Sequence, residues 1–169
     1  MHTKIHALFL LILALAMSSN SMAAETSRYR YCNVFADGVC FGIAAGDQLI
    51  QTIPIDYTIY EVTLSSGKAL TIYNGMNPPR MSGYHSVQEA EGKGWRAKLM
   101  QPISGAGSSV FEVAPSGRDV FRITLSRTPD IEAIDFLRNF RICSGGSARG
   151  IRCKDEFPLR ELAGGLQSN

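Results

Sequence analysis

Apolar and polar residues alternate along most of the chain, which is the pattern of half-buried β-strands. Three pairs of such segments are each joined by a short turn: YRYCNVF and VCFGIA around Asp37-Gly38, YTIYEVTL and ALTIY around residues 65–68, and SVFEVA and DVFRITLS around residues 115–118. Asp-Gly favours a tight hairpin because it tolerates positive φ angles. With a further strand at GWRAKLM, the pattern predicts an antiparallel sheet of six or seven short strands.

One segment near the C-terminus has helical periodicity. Thr128 can cap the first N–H groups, and Pro129 fits the first helical position. The helix is expected to begin there and end near Ile142, with an apolar side that Cys143 continues and that contains Ala133, Ile134, Phe136, Leu137 and Phe140. The predicted fold class is therefore α+β: a mainly antiparallel sheet with one C-terminal amphipathic helix packed on it.

Residues 1–24 have the pattern of a secretory signal peptide. Lys4 precedes an unbroken apolar run from Ala7 to Met17, and small residues around Ala23-Ala24 offer a cleavage site. A membrane anchor needs roughly 20 apolar residues, so this run is too short. We expect export to the periplasm or the outside, no stable membrane anchor, and a single globular domain over residues 25–169.

The charge balance gives no indication of a charged partner. Lys4 is the only Lys or Arg before position 25, so residues 25–169 carry 16 basic and 15 acidic side chains. A nucleic-acid-binding domain is usually strongly basic. We therefore expect no nucleic-acid partner.

The four cysteines, Cys32, Cys40, Cys143 and Cys153, all lie after the predicted leader. An even number in an oxidising compartment indicates two disulfides. We expect the local pairs, Cys32 with Cys40 and Cys143 with Cys153, although a pairing between the two ends of the chain would restrict the unfolded state more. Zinc is the weaker alternative, because no C-x-x-C occurs and His85 is the only histidine after the leader. No metal is expected.

Motifs of catalysis and cofactor binding are sparse. The chain has no G-x-S-x-G elbow and no H-E-x-x-H motif. The glycine-rich residues 102–109 are followed by a predicted strand rather than by the helix that a phosphate cradle needs, so no cofactor is expected. Glu89 and Glu91, beside His85 and Trp95, are the only cluster that resembles a sugar-hydrolase pair. We expect these two carboxylates to lie on an exposed polar segment and to point to different sides of it.

The segment YNGMNPPRMSGYHS, residues 73–86, is the best candidate for a binding site. Its Asn-Gly pair, two prolines and Gly83 predict a long, stiff loop, which loses little entropy on binding. Tyr, Met and Arg are enriched at protein interfaces. The candidate partner-binding residues are therefore Tyr73, Met76, Arg80, Met81, Tyr84 and His85. The alternative is that the segment only connects two strands.

Three functional hypotheses follow. The first is a non-enzymatic binding protein of the inhibitor or immunity type that occludes a partner enzyme in the envelope or periplasm. The second is a cell-wall or carbohydrate-active enzyme that uses carboxylates near His85. The third is a structural accessory protein of the envelope.

Overall fold

The computed structural model describes residues 27–125, 131–144, 152–164 and 166. The predicted leader and the predicted helix-capping residues Thr128 and Pro129 lie outside these ranges. Within them the elements, in chain order, are β1 (Val34–Ala36), β2 (Val39–Phe41), β3 (Gln48–Thr52), β4 (Tyr57–Thr63), β5 (Ala69–Gly75), β6 (Tyr84–Gly92), β7 (Trp95–Pro102), β8 (Val110–Pro115), β9 (Val120–Leu125), α1 (Ile131–Arg138), β10 (Arg141–Ser144), β11 (Arg152–Cys153) and α2 (Arg160–Gly164).

The larger sheet has seven antiparallel strands in the order β3-β4-β5-β9-β8-β7-β6. Two of the predicted hairpins form within it, β4 with β5 and β8 with β9, and the predicted strand at GWRAKLM is β7. The chain leaves β5 in the middle of the sheet and re-enters at β6 on the far edge. Residues 76–83 must therefore pass over the strands that lie between β5 and β6, on a single side of the sheet.

The smaller sheet has four strands in the order β1-β2-β10-β11. Its first hairpin is the one that Asp37-Gly38 predicts: Ala36 pairs with Val39, and Gly38 has a φ of 87°. Both disulfides lie in this sheet or next to it, and they join the local pairs, Cys32 to Cys40 and Cys143 to Cys153. The predicted pairing is confirmed.

The core fills one side of the larger sheet. Tyr60, Ile72, Phe111, Phe121 and Ile123 alternate with outward-facing residues on four strands and are all buried. The smaller sheet and the two helices cover this side. The other side of the larger sheet, which we call the outer face, faces away from the core.

An aromatic cluster joins the three parts of the core. The ring centroid of Phe41, on β2, lies 5.5 Å from that of Tyr60, on β4, and 5.8 Å from that of Phe136, on α1. The ring of Phe140 lies 5.9 Å from that of Phe41 and 6.0 Å from that of Phe121. Phe41 thus contacts the larger sheet and the helical segment at once.

The predicted helix ends earlier than its apolar pattern does. Helix α1 stops at Arg138, and Phe140 N donates to Leu137 O at 3.1 Å to close the last turn. The following residues form β10, because Ile142 pairs with Val39 on β2. Cys143 therefore lies on a strand rather than on the helix. A second helix, α2, buries Leu162 against the core, so the expectation of a single helix is not confirmed.

The number of strands is also larger than predicted, eleven in two sheets among the described residues instead of six or seven. The segment that we expected to be exposed and polar is strand β6. Most of its residues are exposed, as expected, but its backbone pairs with β7 along its length. In the described part of the chain, no helix is long and apolar enough to cross a membrane.

Replacing Phe136 or Phe140 with Ala should destabilise the protein by about 3–5 kcal/mol, because each change leaves a cavity in the aromatic cluster. The free energy of unfolding in urea measures the loss. Ile131→Ala, at an exposed position of the same helix, is the matched control and should stay within about 0.5 kcal/mol. A loss below about 1 kcal/mol at both phenylalanines would contradict the packing of α1 and its following turn on the sheet.

Replacing Glu132 with Gln should lower stability at pH 7 by about 1.5–3 kcal/mol, because its carboxylate accepts hydrogen bonds from Ser65 Oγ and Ser66 N, both at 2.7 Å, and pairs with Arg28. Burial alone would raise the pKa of Glu132, but these contacts outweigh it and lower the pKa from 4.5 to about 2.

A carboxyl group with a lowered pKa in the folded state stabilises the protein above its unfolded pKa. The contribution of Glu132 should therefore be complete above pH 4.5 and disappear as the pH falls toward about 2. Urea unfolding at several pH values should show the wild type and Glu132→Gln converging over this range. Parallel curves would show that the carboxylate does not act in this way.

Candidate functional site

The outer face of the larger sheet carries a continuous row of paired side chains. Each strand contributes one residue to this row, and each residue lies opposite its neighbours in the strand register. From one edge of the sheet to the other, the members are Thr52, Ile59, Tyr73, Arg122, Glu112, Lys98 and Glu89. One half of the row is thus charged with alternating sign, and the other half is mainly aromatic and apolar.

The centre of the charged half is a fixed ion cluster. Glu112 Oε2 accepts from Arg122 Nη2 at 2.6 Å and from Arg122 Nε at 3.2 Å. Its other oxygen, Oε1, lies 2.8 Å from Lys98 Nζ. Arg122 is only 9% exposed, yet its charge is compensated. Burial by itself would raise the pKa of Glu112, but the hydrogen bonds and charges of Lys98 and Arg122 lower it below the ordinary value.

Arg122 also holds the crossing segment, residues 76–83, in place. Its Nη1 donates to the carbonyl oxygen of Pro79, so this segment lies over the centre of the outer face. From β5 to β6 the segment must span four strand spacings, about 19 Å, and it must also run along the strands, because Gly75 and Tyr84 lie at opposite ends of the sheet. Eight residues reach that far only when much of the segment is extended. Pro78 and Pro79 favour such an extended backbone, which explains why two prolines occur here.

Two depressions lie on the outer face. The larger, of 540 Å³, is lined by Glu89, Glu91, Arg96, Lys98, Glu112 and Ala114 together with the backbone around them. The second, of 370 Å³, is lined by Asp56, Tyr57, Ile59, Tyr73, Asn77 and Pro79. The crossing segment forms a wall of the second depression.

The second depression contains a stacked aromatic pair. The rings of Tyr57 and Tyr73 lie 5.3 Å apart and are inclined by 27°. The backbone of Asn77 is hydrogen-bonded to the hydroxyl of Tyr73, and burial followed by the charge of Asp119 raises the pKa of that hydroxyl. Gly75 makes room for the pair, since a Cβ at this position would lie 2.8 Å from the Cβ of Tyr57. The pair is therefore held in one arrangement.

The predicted binding residues are distributed over both ends of the crossing segment. Tyr73 and the highly exposed Met76 lie at the β5 end, and Tyr84 and His85 lie on the edge strand β6. The structure therefore places Tyr73 in the lining of the second depression, and Met76 precedes Asn77, which also lines it. It does not bring Tyr84 or His85 to them.

Exposed Arg80 and half-buried Met81 lie between these two groups, on the crossing segment itself. Its end next to β6 is tied to the larger sheet by the backbone N–H of Ile103, which donates to Gly83 O at 2.9 Å. The segment is anchored at both its middle and its end.

The structure corrects the expectation for Glu89 and Glu91. They are two residues apart on a strand and hence point to the same side, the outer face, where Glu89 lies opposite Lys98 and Glu91 opposite Arg96. Both line the larger depression. His85 does not join them, because a bulge between Ser86 and Gln88 shifts the register of β6 between His85 and the two carboxylates.

Several exposed apolar residues on the strand and turn that lead into the lining of the second depression were not identified from the sequence. They belong to β3 and to the turn that follows it, and they are Ile50, Ile53 and the fully exposed Ile55. Tyr57, which is 40% exposed, continues the group onto the outer face. With Met76 they form what we call the apolar end of the outer face. The segment QLIQTIPID carries the signal, since its apolar residues flank a proline and a carboxylate without any basic residue.

The described residues contain no grouping of metal-ligating side chains that includes a histidine; the cysteines Cys32, Cys40 and Cys153 form the grouping found there. The glycine-rich loop after β7 leads into strand β8. No protein-family model, no curated protein and no solved structure matches this chain. Its function must therefore be inferred from the geometry of these surfaces.

Replacing Glu112 with Gln should destabilise the protein by about 3 kcal/mol, because Arg122 would keep its charge while it loses its ionised partner. Unfolding in urea at pH 7 measures the change. Glu89→Gln is the matched control, since Glu89 is exposed and lies in the same row, and it should change stability by less than about 0.5 kcal/mol. A loss of stability in Glu112→Gln as small as that in Glu89→Gln would show that the ion cluster contributes nothing to the stability of the fold.

Proposed function

We propose that this chain is an exported, non-enzymatic binding protein of the inhibitor or immunity type, and that it occludes a partner enzyme of the envelope or periplasm with its outer face. The observation that carries the proposal is the apolar end beside the crossing segment. Exposed apolar groups of this kind, rimmed by polar residues, mark protein interaction sites. None of the described residues covers them.

The composition of the surface supports a protein partner. Tyr57 and Met76 provide the kinds of side chain that are enriched in the buried centre of interfaces. Asp56, beside Tyr57 in the lining of the second depression, supplies a polar group next to them, and Arg80 supplies another farther along the crossing segment. A partner with an apolar centre and a polar rim of both charges fits this arrangement.

The rigidity of the surface supports tight binding. The hydrogen bond from Arg122 to Pro79 and the stacked pair of Tyr57 and Tyr73 hold the crossing segment and the second depression in one conformation before binding. A surface that is already ordered loses little conformational entropy when the complex forms.

The charged half of the outer face favours a binding role over hydrolysis. A pair of carboxylates in a glycosidase needs one member that is protonated and can donate its proton. Glu112 has a lowered pKa and is engaged by two cations, so it is a poor proton donor. Glu89 accepts a hydrogen bond from Ser86 Oγ at 3.0 Å. His85 does not line the larger depression, where Glu89 and Glu112 lie.

Export is part of the proposal. The two disulfides are typical of proteins that reside in an oxidising compartment. The leader predicted over residues 1–24 is consistent with the same location.

A direct test is capture of the partner from periplasmic extract by immobilised residues 25–169, followed by mass spectrometry and by an activity assay of the captured protein. We expect Tyr57→Ala combined with Met76→Ala to weaken the complex at least tenfold, which corresponds to about 1.4 kcal/mol. Arg80→Ala combined with Tyr84→Ala should also weaken it at least tenfold if the partner extends along the crossing segment.

Phe35→Ala combined with Ile131→Ala is the matched control, because both residues are exposed and apolar but lie on the smaller sheet and on α1, away from the outer face. This variant should bind normally, and the captured enzyme should lose activity when wild-type protein is added. Normal binding by the Tyr57 and Met76 variant would refute the assignment of the surface. Turnover of peptidoglycan or an oligosaccharide that Glu89→Gln abolishes would replace the binding role with an enzymatic one.

A further inference from the structure

The four cysteines form a single cluster. Cys40 on β2, Cys143 on β10 and Cys153 on β11 lie on neighbouring strands of the smaller sheet, and Cys32 reaches them from the segment before β1. The Sγ atoms of Cys32, Cys40 and Cys153 all lie within 4.8 Å of one another, and Cys143 is bonded to Cys153. The two disulfides are therefore neighbours, although about a hundred residues separate them in the sequence.

The size of this cluster matches that of a metal site. Zinc binds thiolate sulfur at about 2.3 Å in a tetrahedron, which puts the sulfur atoms about 3.8 Å apart. Once the two S–S bonds are broken, the Sγ atoms of Cys32, Cys40 and Cys153 need to move by about an ångström to reach such positions, and Cys143, which lies outside this group of three, must move with Cys153. The strand register places Cys143 directly opposite Cys153, so the fourth sulfur starts beside this group of three.

Arg141 provides a second, independent observation. It lies on β10, opposite Cys40 in the register and two residues before Cys143 on the same side of the strand. Its Nε is buried and has no hydrogen-bond acceptor among the described residues. A thiolate cluster carries negative charge and accepts hydrogen bonds at sulfur, so it would supply what this N–H group lacks.

The guanidinium of Arg141 is held in place by other contacts. Its Nη2 donates to Arg30 O at 3.0 Å, and its Cζ lies 4.9 Å from the ring centroid of Phe157. A fixed cation on the same side of the smaller sheet as Cys40 and Cys143 favours the thiolate form of these residues, which is the form that binds metals.

We propose that the four cysteines, when reduced, form one tetrathiolate site for Zn²⁺. Two molecules of a dithiol reductant each become a cyclic disulfide and convert the two protein disulfides to four thiols. The thiols then release four protons and bind one Zn²⁺, which gives a site of net charge −2 beside Arg141. This proposal does not depend on the proposed function.

The metal would preserve the connections that the disulfides make. In both states Cys32 and Cys40 fix the first hairpin, and Cys143 and Cys153 fix β10 and β11. Because Cys40 precedes Phe41, either state keeps the aromatic cluster attached to the smaller sheet. The reduced protein without metal should therefore melt at a lower temperature, and Zn²⁺ should restore part of the loss.

The experiment uses residues 25–169, reduced with a dithiol without oxygen, freed of reductant and titrated with Co²⁺ as a spectroscopic probe. We expect one Co²⁺ per chain, with the absorption of tetrahedral thiolate coordination, and its displacement by one equivalent of Zn²⁺. Zn²⁺ should also raise the melting temperature and change the fluorescence of Trp95, whose indole donates to Glu156 at 2.6 Å, close to β11.

Two double variants are the matched controls: Cys32→Ser with Cys40→Ser, and Cys143→Ser with Cys153→Ser. Each removes one disulfide and leaves two of the four sulfur ligands. Loss of a residue that only hydrogen-bonds a metal ligand already lowers metal affinity by about 10–100-fold. Each variant, which loses two ligands, should therefore bind Co²⁺ more than about 100-fold more weakly. The oxidised wild type, which needs no substitution, should bind none. The proposal would be overturned if the reduced wild type bound Co²⁺ no more tightly than either variant. It would also be overturned if the folded reduced chain bound Co²⁺ no more tightly than the same chain unfolded in urea.

Discussion

The packing of Phe41 is the constraint on which the rest of the structure depends. Its ring contacts Tyr60 on the larger sheet and both Phe136 and Phe140 at the C-terminal segment, so one side chain of a three-residue strand joins two sheets and a helix. A strand as short as β2 has little stability of its own. It is fixed by this burial on one side and by the bond between Cys32 and Cys40 on the other. The smaller sheet thus acts as a cover that encloses one side of the larger sheet.

A sheet that is covered on one side must satisfy its other side in a different way. The outer face neutralises its buried cation internally, because Glu112 takes both Arg122 and Lys98 as partners. Arg122 uses its Nη1, which does not contact Glu112, to donate to Pro79 O, and this bond determines where the crossing segment lies. The same ion cluster therefore stabilises the sheet and shapes the second depression. The side chains of the apolar end are not covered by any of the residues that the structure describes. We therefore assign the binding surface to the apolar end rather than to the charged half.

Local signals in the sequence predicted the hairpins correctly but not the assembly. The turn at Asp37-Gly38 and the alternation in β4, β5, β8 and β9 depend only on neighbouring residues, so they could be predicted. Strand β6 was missed because it lies at an edge with both sides exposed and has no apolar alternation. The end of α1 was missed because its apolar period continues to Phe140, and pairing of Ile142 with β2 overrides it. The row from Glu89 to Arg122 could not be predicted, since it arises from the register of four strands.

The cysteine cluster and the apolar end are connected by a short path through the core. Cys40 adjoins Phe41, Phe41 packs on Tyr60, and Tyr60 follows Ile59, whose side chain lies on the outer face beside Tyr73. Glu89 lies at the opposite edge of the larger sheet, five strands away from β4. Because densely packed cores transmit strain through their contacts, a change in the cysteine cluster should reach the stacked tyrosines by this short path before it reaches the charged depression. Loss of both the disulfides and the metal from the smaller sheet would then act on the apolar end, the part of the outer face that we assign to the partner.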